Sequence, residues 1–293
     1  MKGKILAFVL FTIQMVILPG VFASDNELVI VGPERMSKFT GAWVEKFRQD
    51  NPFAIINFRV AKEDEGFVDL LRGRCDIVIS STGPQEAALY KDVKMNKTVV
   101  AAEGVVFLVN QQNPVKGLTL TQLADILSGK TMNWEDVGGS YGEIFVYGPP
   151  AVSWVNGFIL KNILNVFSPD NKRGIAYRVN NIFSNDEIRQ QVAVQPLAMG
   201  YCSGNYVPAG LKALSVAKGD PAEYILPVKD KISNTSYPLQ QPVFLWARDG
   251  DASVALFIDR VLSKDYQEML SAYGFYPAKA SDQNSGSIQN RED

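Results

Sequence analysis

Leu28-Val-Ile-Val-Gly-Pro33 is a short apolar run closed by two strand breakers, and Met36, Phe39, Trp43 and Phe47 recur behind it at helical spacing. Strand, loop and helix follow from that pattern. Asp50-Asn-Pro52 stops the helix, and Ala54 to Val60, rich in β-branched and aromatic residues, reads as a second strand. A short helix around Phe67, Leu70 and Leu71 ends at Gly73, where freedom to take a positive φ suits a helix C-terminus. Cys75-Asp-Ile-Val-Ile79 is the third strand. Strands alternating with helices predict an α/β fold, a mostly parallel sheet flanked by helices, with ligand loops at the carboxyl ends of the strands. The cleft is then lined by residues 32–36, 61–66 and 80–84.

Further along, Val105 to Asn110 reads as a strand, and Pro114 marks passage into a second lobe. Thr119 and Gln122 have capping-box spacing ahead of Leu123, Ile126 and Leu127, and Ser184 and Glu187 repeat it. Ile144 to Tyr147, Ala198 to Cys202 and Lys212 to Val216 read as strands, and Pro149-Pro150 opens a loop before a helix carrying Val155, Phe158, Ile159, Ile163 and Val166. The last strand, Val243 to Ala247, and the helices after it have no sheet of their own, which predicts a return to the first lobe. The expected organisation is a leader over 1–23, lobe 1 from 24–110 plus 240–279, lobe 2 from 111–239, and a polar, disordered tail over 280–293.

Lys2 and Lys4 precede an apolar run from Ile5 to Leu18, then Pro19-Gly20 and the small-residue exit Val21-Phe-Ala23. That is the layout of a cleaved secretory signal peptide, and the run falls short of the about 20 apolar residues a permanent anchor needs. No cysteine follows Ala23 to carry a lipid. The expected compartment is therefore the periplasm. The formal charge of −2, from 29 basic and 31 acidic residues, becomes more negative once Lys2 and Lys4 are removed. Nucleic acid, which demands a basic face, is not an expected partner. The chain has no histidine, which excludes His-assisted nucleophiles, His proton shuttles and His-ligated metals, so neither catalysis nor a metal or other cofactor is expected. Cys75 and Cys202 fall on strands of different lobes and read as two buried free thiols.

Several phrases together resemble the phosphate-binding proteins of ABC transporters, within the type II periplasmic binding fold. They are Gly73-Arg-Cys-Asp-Ile-Val-Ile-Ser-Ser81, Glu103-Gly-Val-Val-Phe-Leu-Val-Asn110, Asn113-Pro-Val115, Leu118 to Lys130 with Asn133-Trp134, Met199-Gly-Tyr201, Tyr237-Pro-Leu239 and Gly274-Phe-Tyr-Pro277. The resemblance implies two lobes joined by hinge strands, a small molecule held in the cleft between them by a monomer, and a membrane permease with its ATPase as partners. It implies no enzymatic activity.

The ligand loops depart from that family. Its members surround an oxyanion with hydroxyls and backbone N–H groups, and their loops are rich in Gly, Ser and Thr. Here the first loop reads Gly32-Pro-Glu-Arg-Met36, where Pro33 has no N–H to offer and Glu34 adds a negative charge. Arg35 is a candidate anion clamp, or else neutralises Glu34. The second loop, Ala61-Lys-Glu-Asp-Glu-Gly66, brings Glu63, Asp64 and Glu65, which either repel an oxyanion or form a solvated face. In the third, Ser153-Trp-Val-Asn156, Ser153 keeps a hydroxyl and Asn156 an amide, while Trp154 either stacks on a ligand or fills the emptied oxyanion pocket. Asp76, Ser80 and Ser81 match the family's third strand. The serines are ligand donors or turn residues, and Asp76 is a ligand group or a cap or ion-pair partner.

Three functional expectations follow. The first is a binding protein for a solute other than free phosphate, organic or cationic. The second is a sensor or interaction module that presents its surface to an envelope protein. The third is phosphate binding through rearranged donors.

Overall fold

The computed structural model describes residues 27–84, 94–168, 174–176, 178–204, 207–219 and 223–278, so the expected leader and tail lie outside the described residues. Strand β1 (Leu28–Gly32) is buried at four of its five positions, which its run of apolar β-branched residues requires. A 3-10 turn (Glu34–Met36) leads into α1 (Ser37–Asp50), whose Phe39, Trp43, Val44 and Phe47 form one buried stripe. Strand β2 (Ile56–Val60) begins two residues later than its composition suggests, because the Ala54 N–H is taken by the Asn51 carbonyl in a turn. Helix α2 (Glu63–Leu71) carries Glu63, Asp64 and Glu65 in its first turn, where carboxylates complement the helix dipole. Strand β3 (Ile77–Ser80) follows.

Strand β4 (Met95–Asn110) is much longer than the expected Val105–Asn110. Asn96 and Lys97 sit at half-exposed positions in its first part, which hides the strand from an apolar-run reading. The second half of the chain contains β5 (Gly117–Thr119), α3 (Leu120–Leu127), β6 (Phe145–Gly148) and α4 (Trp154–Ile159), which continues through a π turn into α5 (Asn165–Phe167). Then come β7 (Asn180–Asn181), α6 (Asn185–Val194), β8 (Ala198–Ser203), β9 (Leu211–Ala213), β10 (Ser215–Ala217), α7 (Lys229–Ser233), β11 (Gln240–Arg248), α8 (Ala252–Leu262), α9 (Lys264–Met269) and β12 (Tyr276–Pro277). Thr119 and Gln122 form the reciprocal capping box of α3, at 3.1 and 2.9 Å. Ser184 caps α6 by accepting the Glu187 N–H.

The main sheet runs in the order β2-β1-β3-β11-β4-β8-β6-β7. Strands β2, β1 and β3 are parallel, as are β8, β6 and β7, and β11 and β4 cross between the two groups in antiparallel pairing. Along β4, Met95 to Gly104 pairs with β11, and Val105 to Val109 pairs with β8. A single strand therefore belongs to both lobes.

Each lobe is covered on both faces. In the first, α1, α8 and α9 pack Phe39, Trp43, Phe47, Phe257 and Tyr266 on one face, while Phe67 and Leu70 of α2 meet Val31, Val78 and Trp246 on the other. In the second, Leu123, Trp134, Phe158, Ile159 and Tyr201 fill one face, and α6 sets Ile188 and Val192 on Val106, Leu108 and Cys202 on the other. Each lobe therefore has an apolar core on both faces of its part of the sheet. Cys75 and Cys202 are buried and free.

Candidate functional site

Two glycines fix where the cleft loops begin. At Gly32, the last residue of β1, a Cβ would lie 2.2 Å from Ile79 Cγ2, and at Gly148, the last of β6, one would lie 2.2 Å from the Tyr201 ring. Only hydrogen fits at either place, so each strand can run flush with its neighbour up to the loop that follows.

After Gly32, Pro33 caps the 3-10 turn, and Met36 is drawn fully into the core. That anchors the turn with Glu34 in solvent and Arg35 over the cleft. Glu34 accepts a hydrogen bond from the Ser37 hydroxyl at 3.3 Å and does not meet Arg35. Arg35 instead joins a cluster drawn from four elements. Its Nη2 donates to Ser81 Oγ at 2.6 Å and to Glu63 Oε1 at 3.2 Å, and its Nη1 donates to Glu103 Oε1. Its guanidinium carbon lies 5.1 Å from the centre of the Trp154 ring, close enough for a cation–π contact between the lobes.

Glu63 is equally occupied. Its Oε2 accepts from Ser80 Oγ at 2.8 Å and from Thr82 Oγ1 at 2.6 Å, and the Thr82 N–H donates to Ser80 Oγ at 3.0 Å. The Ser81 carbonyl accepts from Gln241 Nε2 at 2.6 Å. The hydroxyls that would serve an oxyanion are thus turned on the protein's own carboxylate, cation and backbone.

Glu103, on β4, is only 3% exposed. Burial pushes its carboxyl up to about 7, against the downward pull of the Arg35 guanidinium, and the Glu63 carboxylate pushes it the same way as burial. Two carboxylates face one guanidinium, so the cluster carries no spare positive charge for an anion when both are ionised.

The remaining candidates are placed as follows. Ser153 caps α4 by accepting the Asn156 N–H at 3.2 Å. Asn156 is 2% exposed, with Nδ2 donating to the Pro149 carbonyl at 2.8 Å and Oδ1 accepting from the Tyr201 hydroxyl at 2.9 Å. Asp64 is exposed at the start of α2. Asp76 precedes β3, at the opposite end from Ser80, and its Oδ2 accepts the Val29 N–H at 2.8 Å. The structure therefore brings Arg35, Glu63, Ser80, Ser81 and Trp154 together and leaves Glu34, Asp64 and Asp76 outside the cluster.

Sequence reasoning did not single out Glu103, Thr82 or Gln241. Glu103 had a signal of its own, a carboxylate at the head of the apolar run Val105 to Val109, where an unpaired charge is costly. Among the described residues, no group of three or more Cys, Asp and Glu could hold a metal ion. None of the described helices is long and apolar enough to cross a membrane.

Beside the cluster lies a cavity of about 510 Å³. Its lining comes from Arg35, Glu103 and Trp154, from Lys38 and Phe39 of α1, from Asn185, Asp186 and Arg189 of α6, from Ser203 and Gly204, and from residues 272–275.

Comparison with known proteins is consistent across three kinds of relative. Residues 22–265 match the profile described as PBP superfamily domain. The phosphate-binding protein PstS of Pseudomonas aeruginosa is 23% identical over 286 residues, covering 87% of this chain and 84% of that protein. PstS of Borreliella burgdorferi is 23% identical over 265 residues, covering 87% and 92%. Among solved structures, PstS from Borrelia burgdorferi superposes with a TM-score of 0.76 at 22% identity, over 87% of this chain and 100% of that one. An ABC-type phosphate transport receptor from Vibrio cholerae gives 0.69 at 24% identity, over 85% and 99%.

Proposed function

This chain belongs to the PBP superfamily, and from that membership we propose that it is a periplasmic solute-binding protein, serving a membrane permease, whose cleft ligand is not free phosphate. Proteins named for phosphate binding are its relatives, which supports a solute-binding role of the same kind. The departure rests on one observation: the Arg35 guanidinium is engaged by Glu63, Glu103 and Ser81. A phosphate entering there would have to take Arg35 from Glu103, which is 3% exposed and would then have to hold a proton or stand as an uncompensated buried charge. It would also meet Glu63, a repulsion of about 4 kcal/mol per charge pair at 4 Å and an effective dielectric of 20. Titration calorimetry with inorganic phosphate near neutral pH tests this. No saturable binding below about 1 mM is the expected result, and a micromolar constant would sink the reading.

A second reading, a sensor or interaction module without transport, is favoured by the contact of Arg35 in one lobe with Trp154 in the other, which spans the gap with the protein's own groups. Solutes that bind tightly and are taken up by cells in a manner dependent on this protein would count against it.

A further inference from the structure

The cavity beside the Arg35 cluster has a chemistry of its own. Its walls carry three cations, Arg35, Lys38 and Arg189, against two acids, Glu103 and Asp186. Arg35 is consumed by the cluster already described, whereas the other two are not. Lys38 is exposed at the rim and makes no ion pair among the described residues. Arg189 is 8% exposed, its Nη1 bonds Asp186 at 2.8 Å, and its Nη2 reaches the Ser203 carbonyl at 3.5 Å. The Asp186 side chain is 81% exposed, so water weakens its hold on the guanidinium. Arg189 Nε is buried and has no acceptor. A buried donor without a partner is uncommon in folded proteins, and a bound water or ion is one way such a group is met.

The surroundings of Arg189 are kept open by glycine. Gly204 has φ +127°, and a Cβ there would lie 2.9 Å from Arg189 Nη2. Gly274, at φ +83°, packs close to Gly204, where a Cβ on Gly274 would sit 3.7 Å from the Gly204 Cα. Any side chain at Gly204 would crowd the guanidinium. Phe39, Trp154, Tyr273 and Phe275 add aromatic rings to a lining that also holds the polar Asn185 and Ser203. A volume of about 510 Å³ is far more than a tetrahedral oxyanion needs and is in the range of sites for small organic molecules.

Building on the solute-binding reading above, we propose that this side cavity is the ligand seat and that it takes an organic carboxylate with a compact apolar or aromatic body. The carboxylate accepts from Arg189 and is drawn in by Lys38, and the body lies among the aromatic rings. A cationic solute is disfavoured by the same two groups.

The test is titration calorimetry on the processed protein with phenylacetate, benzoate and hexanoate as probes, 2-phenylethanol as the neutral counterpart, phenethylamine as the cationic one, and inorganic phosphate. At least one carboxylate is expected to bind, with the neutral alcohol about tenfold weaker or more, as loss of a charged hydrogen bond implies. Arg189→Gln should weaken that carboxylate about tenfold, and Lys38→Gln, at the exposed rim where folding is not at stake, about threefold. Carboxylate binding unchanged in both variants would overturn the assignment, as would preference for phenethylamine or failure of all three carboxylates at about 10 mM. Those outcomes leave the exclusion of phosphate standing; micromolar phosphate binding would instead remove the reading on which this inference rests.

Discussion

Glu103→Gln isolates the group on which the candidate site turns. In the folded protein burial pushes the Glu103 carboxyl from an ordinary 4.5 up to about 7, with Arg35 only partly offsetting it. Between those two values the folded chain keeps a proton that the unfolded chain has lost. The stability that Glu103 contributes is therefore complete below pH 4.5, falls as pH rises and is gone above about 7. At about 1.4 kcal/mol per pH unit, the whole change amounts to roughly 3 kcal/mol. Glutamine has the same shape, still offers Arg35 an amide oxygen, and cannot titrate. Urea unfolding of wild type and variant at steps between about pH 4.5 and 7.5 measures the difference directly. Wild type should lose about 3 kcal/mol relative to the variant across that range. A difference that stays flat, or that moves in favour of wild type as pH rises, would refute the reasoning, because Arg35 would then outweigh burial and hold the carboxylate ionised throughout.

Three further outcomes follow from the geometry. Trp154→Ala removes the ring that Arg35 faces across the cleft, so attachment between the lobes should weaken by about 1 to 2 kcal/mol, and the radius of gyration in small-angle scattering should rise. Asp76→Ala strands the Val29 N–H and should cost about 1 to 3 kcal/mol by urea unfolding while leaving affinity for any cleft ligand unchanged. The thiols of Cys75 and Cys202, pushed by burial up to about 12 and about 11, should resist Ellman's reagent in the native protein and both react once it is unfolded. Prompt labelling of the native protein would contradict their burial.

How far the sequence could be read depended on whether a residue's role was local. The β1 and β3 runs, the stripe Phe39, Trp43 and Phe47, and the Thr119–Gln122 capping box are fixed by neighbours a few positions away, and they appear in the structure where their spacing puts them. The first part of β4 was hidden because Asn96 and Lys97 interrupt its apolar pattern, although β11 pairs with it along that part. At the site, the loops that matter were legible from the alternation of strand and helix. What their side chains do there was not. The turn that sends Glu34 outward and Arg35 across the cleft is decided by the burial of Met36, and the Arg35–Glu103 pair joins positions 68 apart in sequence. Three acids in one loop likewise split between roles: Glu63 turns into the cluster while Asp64 and Glu65 stay in solvent at the head of α2.

The decisive measurement is a crystal structure of the protein grown in concentrated phosphate. Arg35 should remain on Glu63, Glu103 and Ser81, with no tetrahedral density among the loops that follow β1, β2 and β3. Phosphate ringed there by Ser80, Ser81 and main-chain amides, with Arg35 swung away from Glu103 to hold it, would contradict the account at its root.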